Sequence, residues 1–165
     1  MTEEALAYLR EHPDKTEELV RYFVSRDDVT LTQRAGMVLG WYGEEVPERL
    51  EPYFSELLEA ARVPIHPVVP RNVFRVFSLL SLDQIDEALE GPLLDAAFNR
   101  LTDPEQNVTV HVYCMQIVAT LVKRYPELAG ELHATLRDGL EESMPGYRSR
   151  AKKIIKQLER KYELD

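Results

Sequence analysis

The chain has 165 residues, of which 44% are apolar and 30% charged, and its formal net charge is -9. The length and composition are typical of a single folded domain, and the acidic balance argues against a general affinity for nucleic acid. The single cysteine, Cys114, excludes an internal disulfide, and no stretch approaches the roughly 20 apolar residues of a membrane span, so we expect a cytoplasmic protein without a membrane segment.

Prolines divide the chain into short amphipathic segments with apolar residues at helical spacing. Four such segments are predicted as helices at 14–26, 47–61, 91–101 and 126–140. Asp14 and Ser81 each precede a Glu or Gln by three residues, a pattern that fits the capping box at the start of a helix. The proline-dense stretch 62–71 is predicted to be an irregular connection, and Gly91-Pro92 to be a break where a helix begins.

Alternating with these segments are four others that can be aligned with one another, beginning at Arg34, Asn72, Tyr113 and Arg150, with offsets of 38, 41 and 37 residues. Each has apolar residues at i, i+3, i+4 and i+7, which form one stripe of a helix. The four aligned columns are Ala35, Val73, Cys114 and Ala151; Val38, Val76, Ile117 and Ile154; Leu39, Phe77, Val118 and Ile155; and Tyr42, Leu80, Leu121 and Leu158.

This pattern of two antiparallel helices in about 40 residues resembles the HEAT and armadillo repeats, over about residues 14–162. The resemblance implies an all-α, right-handed α-solenoid of about four helix-pair repeats in a single domain, residues 1–165. A four- or five-helix bundle is an alternative for the same amphipathic segments. In the last segment, Lys152 and Lys156 replace the small or apolar residues of the earlier ones, so we interpret the basic stretch 146–162 as the helix that caps the stack.

In such arrays the second helices usually line a concave binding face. The non-core columns of the four aligned segments fall on one side of these helices and combine cationic and amide groups with aromatic ones. Tryptophan, tyrosine and arginine are the residues most enriched at binding hot spots. The residues predicted to bind a partner are Arg34, Trp41, Asn72, Arg75, Tyr113, Gln116, Arg150 and Lys153.

The sequence contains no nucleotide-binding, nucleophile or metal-ligand motif, and its four histidines lack metal-ligand spacing. We therefore expect no catalytic residue, no cofactor and no metal. The favoured interpretation is a non-catalytic scaffold that binds another protein, as a monomer or a weak homodimer. One alternative is a DNA-binding module like the alkylation-repair glycosylases of this architecture, although the predicted face lacks a catalytic acid. A factor that binds a small molecule in a groove is a third.

Overall fold

The structure is a computed structural model that describes residues 1–141 and 143–165. Over these residues the secondary structure is entirely helical, so the all-α prediction is confirmed for this part of the chain. The nine α-helices in the described residues are α1 (Thr2–Glu11), α2 (Thr16–Val24), α3 (Val29–Glu45), α4 (Phe54–Arg62), α5 (Val68–Ser78), α6 (Glu87–Leu101), α7 (Val108–Leu121), α8 (Ala129–Asp138) and α9 (Pro145–Tyr162).

The chain divides into two compact units, Met1–Leu80 and Ser81–Asp165. Unit 1 contains α1 to α5, and unit 2 contains α6 to α9. The aligned segment that begins at Arg34 lies in α3, and the one that begins at Asn72 lies in α5 and the two residues after it. The segments that begin at Tyr113 and Arg150 lie in α7 and α9 of unit 2. A single domain over residues 1–165 stays a prediction.

In unit 1, α3 is the central helix and packs against α1, α2 and α5, while α4 packs against α5. Of the eight apolar column residues in this unit, seven are buried and Val38 is half-buried. Tyr42 is fully buried, and its hydroxyl lies 2.8 Å from the Thr16 hydroxyl, so a polar group at the centre of the unit has a partner.

Three glycines bring α3 close to α5. A Cβ on Gly36 would lie 3.0 Å from Val68 Cγ2, and one on Gly43 would lie 2.6 Å from Val76 Cγ2. Between them, Gly40 lies against the side chain of Asn72. The contacts advance along both helices in the same direction, so α3 and α5 run parallel, and the absence of side chains on α3 allows the close approach.

The helix starts differ from the sequence prediction at three places. Asp14 lies in a one-turn 3₁₀ helix and does not cap α2. The stretch 62–71 is helical from Val68, because a proline in the first turn removes only N–H groups that have no intrahelical acceptor. Gly91-Pro92 lies inside α6, which begins at Glu87; glycine before the proline lacks the Cβ that would clash with the ring.

In unit 2, α7 packs against α6, α8 and α9. All eight apolar column residues of this unit, four on α7 and four on α9, are buried. Glu90, near the start of α6, is fully buried. The Tyr125 hydroxyl donates to Glu90 Oε2 at 2.9 Å, and Arg124 Nε lies 2.9 Å from Oε1 as an ion pair outside hydrogen-bonding geometry. These contacts join the start of α6 to the segment after α7, and the hydrogen bond to the carboxylate raises the pKa of Tyr125.

The basic stretch 146–162 forms most of α9, which begins at Pro145 as predicted. Its column residues Ala151, Ile154, Ile155 and Leu158 are all buried. The lysines of the opposite side are exposed. The stretch is therefore an amphipathic core helix of unit 2 whose charges lie on the solvent side.

Candidate functional site

The unit 1 part of the predicted binding residues centres on Trp41 of α3 and Arg75 of α5. The Arg75 guanidinium lies 4.4 Å from the centre of the Trp41 ring, and its Nη2 also donates to Glu44 Oε2. Trp41 is 47% exposed, whereas only 21% of the Arg75 side chain is exposed. The cation–π contact and the ion pair hold the guanidinium in place beneath a half-exposed indole.

Two exposed apolar side chains extend this cluster. Met37 lies one turn before Trp41 on α3 and is 56% exposed, and Leu79 lies one turn after Arg75 and is 52% exposed. Both occupy the non-core columns of the sequence alignment. Exposed apolar side chains grouped around an aromatic residue are typical of interaction sites rather than of ordinary solvated surface.

Asn72 does not reach this surface. It is only 7% exposed, and its Nδ2 donates to the Val68 carbonyl at 2.9 Å. The side chain fills the space that Gly40 leaves at the contact between α3 and α5. The alignment places Asn72 in the same column as Arg34, but Arg34 is exposed.

Four residues of this surface are absent from the predicted binding residues: Met37, Leu79, Glu44 and Arg71. Glu44 binds Arg75, and its spacing of three residues from Trp41 is the only signal that places it on the same side of α3. Arg71 is exposed one turn before Arg75 on α5. We call this group of residues the Trp41 surface; it consists of Arg34, Met37, Trp41, Glu44, Arg71, Arg75 and Leu79.

The predicted binding residues of unit 2 form a less closely connected group than those of unit 1. Arg150 Nη1 donates to Gln116 Oε1 at 3.4 Å, which connects α9 to α7. Lys153 is exposed, and Tyr113 is half-buried. A shallow depression of about 330 Å³ beside them is lined by Val108, Thr109, Val112, Gly146, Ser149, Arg150 and Lys153. The structure thus brings Gln116 and Arg150 together, and Arg150 and Lys153 line the depression, whereas Gln116 and Tyr113 do not.

A larger groove of about 640 Å³ lies elsewhere in unit 2, among α6, α7, α8 and the start of α9. His111 Nε2 lies 2.7 Å from the Asp103 carbonyl oxygen, and the His111 ring meets Tyr147 edge-on at 6.0 Å. Burial, with a smaller contribution from Asp138, raises the pKa of Tyr147. The histidine and tyrosine are held by packing and by a backbone contact, which favours a structural role for both.

The remaining candidate groups do not form a reactive centre among the residues described. Cys114 is fully buried, and burial raises the pKa of its thiol. His133 Nε2 lies 2.9 Å from Glu159 Oε1, which ties α8 to α9. Within 1–141 and 143–165, His, Cys, Asp and Glu side chains form no group of three or more that could hold a metal ion. In the same ranges, every helix is too short or too polar to cross a bilayer.

A family model of the HEAT repeat domain matches residues 2–158 of the chain. Comparison with curated proteins and comparison with solved structures each found no significant match. The matched range includes all of α1 to α8 and most of α9, and it agrees with the repeat of about 40 residues and with the all-helical structure. The chain therefore belongs to the HEAT repeat family.

Proposed function

We propose that this protein is a non-catalytic scaffold that binds another protein through the exposed sides of its second helices. HEAT repeats generally serve as protein-interaction scaffolds. The observation that carries the proposal is the Trp41 surface, where a half-exposed indole is stacked on a guanidinium that Glu44 also binds. Tryptophan and arginine are the residues most enriched at binding hot spots.

Preorganisation supports this interpretation. The glycines of α3 allow close contact with α5, and this contact places Trp41 beside Arg75. A partner that covers the indole would find the arginine already ordered, so little side-chain entropy is lost on binding. The exposed Met37 and Leu79 would add apolar area on either side of the stacked pair.

The proposal includes the finer architecture predicted from the sequence, a right-handed stack of about four helix pairs that acts as one domain. In such a stack the second helices form one extended surface, to which unit 2 would contribute Tyr113, Gln116, Arg150 and Lys153. The protein would act as a monomer or a weak homodimer, without a cofactor. A repeat array offers a long rigid surface, which is the property that a scaffold requires.

The test is quantitative capture of partners from an extract of the source cells. Tagged wild-type protein is compared with Trp41→Ala and with Arg75→Glu combined with Lys153→Glu. The control combines Lys15→Glu, just before α2, with Arg21→Glu on α2, which makes the same charge change. A protein that binds through the proposed surface is retained by the wild type and the control. We expect its Kd to rise by about 30-fold or more in Trp41→Ala, as for a hot-spot residue.

Circular dichroism and thermal unfolding establish that each variant is folded. The captured protein is then purified and its Kd measured against every variant. The proposal is wrong if this partner binds both surface variants with the affinity of the wild type.

A further inference from the structure

The Trp41 surface has an excess of positive charge within an acidic protein. Nearly every other basic side chain of unit 1 interacts with another group: Arg10 pairs with Glu3 and Glu45, and Arg75 pairs with Glu44. Arg34 and Arg71 differ, because the side chain of neither makes an ion pair or hydrogen bond with another residue that the structure describes. Both are exposed, and both lie on second helices.

The register of the two helices places these arginines around the exposed apolar residues. At 100° per residue, Arg34, Met37 and Trp41 fall within about 60° of one another on α3, and Arg71 and Arg75 within about 40° on α5. Since Gly36, Gly40 and Gly43 of α3 meet Val68, Asn72 and Val76 of α5, Arg71 lies between the levels of Met37 and Trp41. Apolar contact area and unpaired guanidinium groups therefore share one surface of unit 1.

Nearby carboxylates do not neutralise this charge. Glu44 is the one acidic member of the surface, and it is bound to Arg75. Glu45, the next residue, pairs with Arg10 at 2.7 Å. With these pairs balanced, Arg34 and Arg71 remain as two positive charges beside Met37, Trp41 and Leu79, which suits a ligand that has both carboxylates and apolar side chains.

We propose that the Trp41 surface binds an acidic segment of a partner protein, with an apolar anchor side chain against Trp41 and carboxylates near Arg34 and Arg71. This inference rests on the proposed function and names the chemistry of the partner. Guanidinium groups form bidentate contacts with carboxylates, which would fix the position of the segment around its anchor.

A nucleic acid fits this surface less well. Binding to a nucleic acid requires several phosphates to be neutralised along a basic stripe, whereas the surface has two unpaired cations in a unit that contains 14 acidic and 9 basic residues. Methionine and leucine side chains give no phosphate contact, but they are suited to an aliphatic or aromatic anchor of a peptide.

Peptides that bind full-length wild-type protein are selected from a displayed library of random peptides. The selection is run with and without a counter-selection step, which removes peptides that also bind the Arg34→Glu, Arg71→Glu double variant. We expect the peptides that survive counter-selection to be rich in Asp and Glu and to share an apolar residue. Their Kd should rise about tenfold or more in Arg34→Glu, Arg71→Glu, because carboxylates would face like charges, and should stay unchanged in the control Lys15→Glu, Arg21→Glu.

The chain has one tryptophan, so its fluorescence reports directly on the surface. A bound acidic peptide should protect Trp41 from quenching by acrylamide, and raising the salt concentration should weaken the peptide's affinity. A neutral peptide with Asn and Gln in place of Asp and Glu should bind about tenfold more weakly or not at all.

Three results would overturn the inference. The first is that the selected peptides are neutral or basic. The second is that no peptide binds the wild type better than the Arg34→Glu, Arg71→Glu variant. The third is that a duplex DNA oligonucleotide protects Trp41 where acidic peptides do not. These results leave the proposed function standing if a captured partner still loses affinity for Trp41→Ala. If no partner depends on the surface, the proposed function itself fails.

Discussion

Single residues of the apolar columns differ in how much they contribute to the core. Ile117 of α7 is 1% exposed, whereas Val38, its counterpart on α3, is half-buried. The free energy lost on truncating a side chain depends on the contacts it makes and on the cavity left behind. Equivalent positions in the repeat are therefore not equivalent in stability.

Replacing Ile117 with alanine should lower the free energy of unfolding by about 2–5 kcal/mol, because it removes a buried side chain and leaves a cavity. Val38→Ala, at the half-buried counterpart, is the control and should cost less. Urea unfolding followed by circular dichroism measures both. An Ile117→Ala midpoint equal to that of the wild type would contradict the assignment of α7 as a core helix.

The thiol of Cys114 should be unreactive in the folded protein. It is fully buried, and burial raises its pKa, so the reactive thiolate is scarce at neutral pH. We expect Ellman's reagent to titrate one thiol in guanidinium chloride and essentially none in native buffer over the same time. Rapid reaction in native buffer would show that α7 opens readily or is misplaced.

At the scale of elements, the contact between α3 and α5 depends on glycines, which have no side chain to hold the two helices apart. Gly36, Gly40 and Gly43 are buried against α5 or its neighbours, although glycine is a poor helix former. The close contact between the two helices compensates for the low helix propensity of glycine, and it sets the distance between Trp41 and Arg75. The glycines thus connect helix packing to the geometry of the Trp41 surface.

Gly43→Ala should destabilise the protein by about 1–3 kcal/mol, because the new methyl would lie 2.6 Å from Val76 Cγ2 and 2.8 Å from Leu50 Cδ1. Gly130→Ala, an exposed position of α8 where a Cβ meets nothing within 4 Å, is the matched control and should be neutral or slightly stabilising. Thermal unfolding distinguishes the two. Equal midpoints for both variants would mean that α3 and α5 do not pack at this distance.

At the scale of the whole molecule, charge is distributed unevenly. Residues 143–165 contain 7 basic and 3 acidic side chains, while the chain as a whole has a net charge of -9. The exposed lysines on the solvent side of α9 favour solubility of the protein. The basic residues at the C-terminal end of α9 are stabilising near the negative end of the helix dipole. Neither effect requires a nucleic-acid ligand.

Lys152→Glu combined with Lys156→Glu should leave the fold intact, with a change in unfolding free energy within about 0.5 kcal/mol, because both side chains are exposed. The wild type should not bind generic duplex DNA at sub-micromolar Kd near physiological salt. Fluorescence anisotropy with a labelled duplex measures this. Tight binding that falls steeply with salt and disappears in the double variant would support a DNA-binding role instead.

The sequence by itself determined the helical class, the period of about 40 residues and the apolar stripe that four of the helices bury in the core. The apolar columns predicted these features because a helix must bury one stripe of residues spaced three and four apart. Fifteen of the sixteen column residues are buried, and α9 is an amphipathic helix as predicted. Periodicity is a property of neighbouring residues, so it can be read from the chain alone.

Only the tertiary structure decided which side chains of the predicted binding residues reach the surface. Asn72 and Arg34 occupy the same column, yet Asn72 is buried at the contact with Gly40 and Arg34 is exposed. The stacking of Arg75 on Trp41 joins residues 34 positions apart, on helices whose spacing depends on glycine. Such contacts depend on how two helices pack, which the pattern within either helix does not specify.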